Sequence, residues 1–154
     1  MRARRTLAAS GVGLLVAMGV AAWARPVIPA EPTDPSLALS ARSAVPSPVT
    51  ATLRRACFDC HSNETRWPLY SQVAPMSWLV AGHVRDGRDA FNYSEWTTYS
   101  SDDQDSFLGG MCSLPRRGRM PLPSYLLIHR DAKLSPADVT TLCTWSEKMR
   151  DTLQ

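Results

Sequence analysis

CFDCHSNETRWPLYS, residues 57–71, decides how this chain is read. Two cysteines stand three apart, and a histidine follows the second directly. On a helix, positions i, i+3 and i+4 share one face, so Cys57, Cys60 and His61 can meet one flat group from the same side. Two thiols so placed can add across the two vinyl groups of a haem, with the imidazole left to reach the iron. C-x-x-C-H is the pattern of such covalent attachment. Two other chemistries compete for these residue types. A structural zinc site wants four ligands, and no second Cys or His pair follows. A redox dithiol wants a βαβ setting, and the remainder of the chain reads as helical. One haem c, held through Cys57 and Cys60 with His61 as an iron ligand, is the expected cofactor.

N-terminal to the motif, the chain begins MRARRTLAASGVGLLVAMGVAAWARP. Arg2, Arg4 and Arg5 precede an apolar run from Leu7 to about Ala24, and Ala22-Trp23-Ala24 offers a small-residue cleavage site. Residues 1–24 read as a signal peptide or, since the run is long enough to span a bilayer, an uncleaved membrane anchor. Both place the rest of the chain in the periplasm, soluble or tethered to the inner membrane. Residues 25–50 are dense in Pro, Ser and Ala and read as an extended linker. The functional domain is then 51–154. Three of the 17 Lys and Arg lie in the leader, which leaves 14 basic against 14 acidic side chains beyond it. A domain so balanced excludes nucleic acid as a partner.

C-terminal to the motif, the periodicities are helical. LRRACFDCH from Leu53 makes a short helix carrying the cysteines. The stretch from Pro75 puts Met76, Leu79, Val80 and His83 on one face, with Gly87 just beyond its end. Ser101 and Gln104 form a capping box for a helix through Phe107, Leu108, Met111 and Cys112, stopping near Pro115. PRRGRMPLPSY (115–125) reads as a stiffened loop. Ser135-Pro136-Ala137-Asp138 opens the last helix, with Val139, Leu142, Cys143, Ser146, Met149 and Leu153 on one face. Alternating apolar and polar runs are missing, so the expected fold is all-α.

The second axial ligand sets a haem's chemistry. Met76, His83, Met111, Met120 and His129 are candidates. Met120 is preferred because prolines shape its loop in advance, which lowers the ordering entropy of a weak thioether ligand. His83 is the alternative sixth ligand; its plainer reading is a core histidine bonded to a carbonyl. Met76 and Met111 read as core. Trp67, Tyr70, Trp78, Trp96 and Tyr125 read as a haem wall or as core packing. Arg85 and Arg88 face either haem propionates or solvent. Arg116, Arg117 and Arg119 surround the Met120 loop, either solvated or steering an acidic redox partner. Cys112 and Cys143 lie on apolar faces of two helices, and an oxidising compartment favours a disulfide between them over two buried thiols.

CFDCHSNETRWPLYS, APMSWLVAGHVRDGRDAFNYSEW (74–96) and MPLPSYLLIHRDAKLS (120–135), with Trp145 beyond them, together resemble the small exported haem-binding domain family of c-type cytochromes. The resemblance runs from Cys57 to Trp145. It implies a mainly helical, cytochrome c-like monohaem domain attached at Cys57, Cys60 and His61. Met120-Pro121 resembles the ligand loop of many class I cytochromes c. The expected function is single-electron transfer with redox proteins of the periplasm or membrane. A haem-based sensor with a labile sixth ligand, a small peroxidase using His83 or His129, and a zinc-binding interaction module are the rival readings.

Overall fold

The computed structural model describes residues 11–13, 15–20, 32–42 and 44–153. Every regular element among them is helical, as the periodicities predict. In chain order these are α1 (Leu39–Arg42), α2 (Ser47–Ala56), α3 (Phe58–His61), α4 (Met76–Ala90), α5 (Ser101–Arg116), α6 (Pro123–Leu126) and α7 (Pro136–Asp151). Short 3-10 stretches lie at Leu69–Gln72, Tyr93–Thr98 and Arg130–Ala132. Residues 11–13 and 15–20 are helical too. Among the described residues no helix is long and apolar enough to cross a membrane. The basic cluster Arg2, Arg4 and Arg5 and the cleavage site Ala22-Trp23-Ala24 lie outside the described residues.

The core forms where α2, α5 and α7 converge on the segment after α4. Val49, Thr52, Leu53 and Ala56 recur along the buried face of α2, the spacing of an amphipathic helix. They meet Tyr93, Trp96, Leu108, Met111, Leu142 and Trp145. α5 and α7 pack on each other and are joined by the disulfide Cys112–Cys143 and by a bidentate pair in which Arg150 donates from Nε and Nη2 to Asp105, both at 2.8 Å. Both helices start on serine caps. Ser135 accepts from the Asp138 amide while Asp138 accepts from the Ser135 amide, a capping box at the expected helix start. α5 is capped one residue earlier than expected, by Ser100 on the Asp103 amide at 3.2 Å, and ends at Arg116, one residue past Pro115.

Two expectations are corrected. Residues 32–50 are not an extended linker: Leu39 is buried in the core, the Thr97 amide donates to the Leu37 carbonyl at 3.0 Å, and α2 already begins at Ser47. One large apolar side chain in a Pro-rich stretch suffices to anchor it, and composition alone conceals that. Gly87 lies inside α4, and the buried face of that helix is Ser77, Ala81, Val84 and Gly87 rather than Met76, Leu79, Val80 and His83. At Gly87 α4 packs so closely on α3 that no Cβ fits beside the Cys60 carbonyl.

Candidate functional site

α2 does not run straight into the cysteine motif. Cys57 sits at φ −127°, ψ −40°, a break between α2 and α3. Its amide still closes the last turn of α2 on the Leu53 carbonyl at 2.8 Å. Its carbonyl starts a new turn, accepting from the Cys60 and His61 amides at 3.2 and 3.0 Å. The three motif residues therefore share a turn, as the spacing predicts. Cys57 and Cys60 are free, half-buried thiols. Burial pushes Cys57 up to about 12, with the Tyr93 hydroxyl bonded to its sulfur as a smaller opposing influence. Burial pushes Cys60 up to about 11, aided by the adjacent Asp59 carboxylate.

His61 is oriented from behind. Its ring stacks on Phe91 at 4.4 Å and 20°, and its Nδ1 lies 3.2 Å from the Phe91 carbonyl oxygen. A carbonyl can only accept, so Nδ1 carries the proton and Nε2 keeps the lone pair, the arrangement that orients a metal-binding histidine. Burial holds the ring below the ordinary imidazole value, partly offset by the Phe91 and Gly87 carbonyls. His61 is thus neutral near pH 7, the form a metal requires.

The residues after the motif fold back on α3. Ser62, fully buried, donates to the Phe58 carbonyl at 2.8 Å and accepts from the Glu64 amide at 3.0 Å. Thr65 donates to the Asp59 carbonyl at 2.9 Å. The Asp59 carboxylate accepts from the Arg66 amide at 3.1 Å, from the Arg66 guanidinium, and from the Tyr125 hydroxyl at 2.8 Å. Asn63 is tied to the segment after α4, where Asn92 donates to its side-chain oxygen at 2.8 Å and Ser94 accepts from its amide at 3.0 Å.

Two cavities flank this turn. One, of about 250 Å³ and almost wholly apolar, is lined by Cys57, His61, Phe91, Phe107, Met111 and Met120 among others. The second, of about 240 Å³, is lined by Cys60, His83, Asp86, Tyr125 and Leu122 together with Cys57, His61 and Met120. The shared wall of Ala56, Cys57, His61, Ala90, Met120 and Pro121 makes them two lobes of one cleft. Together they reach the size range of cofactor sites. Met120 arrives there because α5 ends in a Schellman turn. Gly118, at φ +63°, bonds its amide to the Pro115 carbonyl, and the Arg119 amide bonds to the Leu114 carbonyl, both at 2.9 Å. Glycine takes that left-handed position without a Cβ clash. The chain then reverses, and Met120 returns to the cleft.

The structure brings Cys57, Cys60, His61, Met120 and His83 to one cleft and leaves other candidates outside it. Trp67 and Trp78 are 40% and 50% exposed and line neither lobe. Tyr70 is held by His129, with its hydroxyl 2.6 Å from Nε2, and the His129 ring stacks on Tyr125. Neither Tyr70 nor His129 lines the cleft. Trp96 belongs to the core. Arg88 donates from Nε to the Ser62 carbonyl at 3.0 Å and from Nη2 to Thr65 at 3.2 Å, which clamps the loop after the motif. Its Nη1 is buried with no hydrogen-bond partner among the described residues. Arg85 pairs with Asp86. Sequence reasoning missed the actual aromatic wall of Phe91, Tyr93 and Phe107. Phe107 was legible only as part of an apolar helix face, and for Phe91 and Tyr93 the signal was that FNY follows α4 directly, with no periodicity to mark it.

These residues fit a covalently held haem: two unpaired thiols, a neutral imidazole with one nitrogen open, a thioether across the same cleft and an apolar lining. A family model described as a haem-binding domain matches residues 16–148. No curated protein and no solved structure matches the chain.

Proposed function

The chain belongs to the haem-binding domain family, and from that premise we propose that it is an exported monohaem c-type cytochrome that carries single electrons. The observation that carries this reading is the cleft shared by His61 and Met120, with Cys57 in the same wall. Haem bound there supplies a one-electron iron couple and no bond chemistry of its own is asked of the protein. Cys57 and Cys60 would hold it through thioethers, and His61 would offer Nε2 and Met120 its sulfur. Phe91 fixes the imidazole from behind, by stacking and by its carbonyl, which holds Nε2 in one orientation. Phe107, Met111 and Leu142 give the larger lobe an apolar lining, in which an uncompensated charge would be costly. Arg116, Arg117 and Arg119 stand exposed around the Met120 loop and suit an acidic redox partner.

His83 lines the smaller lobe beside His61 and supplies the second reading, bis-histidine ligation. The test is the absorption spectrum of the chain matured in a periplasm with haem-attachment machinery. Covalent haem with the weak far-red band of a methionine–iron(III) bond, lost in Met120→Ala, supports the electron carrier. Low-spin haem without that band, altered by His83→Ala, establishes bis-histidine ligation instead. A high-spin open iron points to sensing or peroxide chemistry, and a chain matured without haem refutes the reading.

A further inference from the structure

Glycine weakens a helix interior more than any residue but proline, yet α5 carries two in succession at its middle, Gly109 and Gly110. Gly87 and Gly118 show what licenses a glycine elsewhere in this chain. Gly87 has no room for a Cβ beside Cys60, and Gly118 takes a positive φ. Neither reason holds in α5. Gly118 is the one glycine with positive φ among the described residues, so alanine fits the backbone at 109 and 110 without strain. A Cβ on Gly109 would reach only the Arg150 guanidinium of α7, at 3.7 Å, an ordinary contact with a flexible side chain. A Cβ on Gly110 would meet nothing nearer than Leu114 Cδ1, at 4.0 Å, among the described residues.

The two glycines differ in what they face. Gly110 lines the larger lobe of the cleft, and Gly109 lines neither lobe. Phe107, Gly110, Met111 and Leu114 follow the i, i+3, i+4, i+7 spacing of one helical face, and all four line that lobe. Three of them carry large apolar side chains. The fourth is bare backbone between them, a notch in an otherwise filled face. A methyl added there would extend one carbon–carbon bond, about 1.5 Å, into the lobe. Packing within the protein does not call for glycine at 110. A flat apolar group resting on the helix does, because such a group gains most when its carbons come within about 3.5–4.0 Å of their neighbours.

We propose that Gly110 is a seat for the haem macrocycle: α5 gives up helix stability at this position so that the ring can lie against its backbone. The inference rests on the haem reading above and deepens it, by naming a positioning residue that sets how far the ring enters the larger lobe. His61 is pinned by the Phe91 ring and carbonyl, so a ring pushed off α5 by a methyl loses its place against the imidazole.

Gly110→Ala in the full chain, matured with haem-attachment machinery, tests this against two controls, Gly109→Ala and Gly82→Ala. Gly82 lies inside α4, lines neither lobe, and its Cβ would meet nothing within 4 Å among the described residues. Each variant is read by haem-to-chain ratio, by absorption spectrum and by urea unfolding. The controls should load fully, keep the wild-type spectrum and raise the folded-to-unfolded ratio about fivefold, the worth of glycine to alanine in a helix interior. Gly110→Ala should instead lower that ratio at least about fivefold, the scale of overpacking, and displace the iron–ligand bands. Failure of Gly110→Ala alone to take up haem supports the same conclusion, since no protein atom opposes the methyl. Full loading with an unmoved spectrum overturns the proposal: a gain in stability then makes Gly110 a spectator, and a loss places the clash within the protein. Equal disturbance by either control overturns it too. A wild-type chain that matures without haem removes the electron-carrier reading and this proposal together, whereas every other outcome leaves that reading intact.

Discussion

A Cβ added to Gly87 would stand 2.5 Å from the carbonyl oxygen of Cys60 and 3.0 Å from its Cβ. α4 therefore crosses the Cys57–His61 turn at backbone contact, and the absence of a side chain at this one position permits it. Gly87→Ala must push α3 and α4 apart, against rigid backbone rather than a flexible side-chain tip. The expected cost is about 1–3 kcal/mol, the range of overpacked cores, despite the gain of about 1 kcal/mol in helix propensity. Urea unfolding of the haem-loaded variant measures it, and an unchanged midpoint would contradict the close approach.

Cys112–Cys143 closes a separation of 31 residues, and the loop it closes carries Met120. Chain entropy assigns such a closure about 3–4 kcal/mol. Cys112→Ser/Cys143→Ser should lower stability by about that amount and leave haem attached. Thiol counting on the denatured, unreduced, haem-loaded protein should find no free thiol. Two free thiols there would contradict the bridge.

The cysteines of the motif should be poor nucleophiles in the folded, haem-free chain. Burial moves Cys57 to about 12 and Cys60 to about 11 from an ordinary value near 9, and the thiolate is the reactive form. Iodoacetamide at pH 8 should alkylate them at least about tenfold more slowly than the same residues in urea, given what a two-unit rise does to thiolate fraction. The sign for stability follows from the raised values. The folded state holds these protons more tightly, so their contribution is complete below about pH 9 and fades as pH climbs through 11 to 12. Haem-free protein should lose stability over that window, and haem-loaded protein, its sulfurs alkylated, should lose less.

Asp59 lies between the two cysteines and is mostly shielded, while its partner Arg66 is largely exposed. Solvent screening makes the Arg66 pair weak, so the Tyr125 hydroxyl at 2.8 Å is the contact to test. Burial first and the Asp59 carboxylate second hold that phenol above its ordinary range. Tyr125→Phe should cost about 1–2 kcal/mol, the worth of a hydrogen bond to a charged group after partial exposure. Asp59→Asn, which keeps an acceptor, should cost less. Chemical denaturation of both variants ranks them, and the reverse order would place the stabilising charge in the Arg66 pair.

Much of this was legible in the chain because it is local. The Cys57–His61 turn, the Ser135 capping box and the all-helical pattern depend on neighbours within four residues. The Met120 loop was legible from its prolines and Gly118. What escaped depends on distant partners. Gly87 looked like a helix stop because glycine usually is one, whereas its role is set by Cys60, 27 positions away. Leu39 looked like linker because Leu37 and Leu39 stand in a Pro-, Ser- and Ala-rich stretch with no periodic apolar face, yet the core reaches out to include it. Trp67 and Trp78 looked like cofactor walls because large aromatics usually seek burial, and Phe91 and Phe107 took that place.

The bond from Tyr93 to Cys57 and the backbone contact over Cys60 also impose a chronology. With α4 closed on α3, both thiols are half-buried and held protonated, so the folded, haem-free domain presents little thiolate. Were a haem joined through these cysteines, the supply of thiolate would favour joining it while the chain is still open, before the core collapses. Leu39 and Val49 come out ahead of Cys57, but their core partners Trp96, Leu108 and Leu142 come out after it.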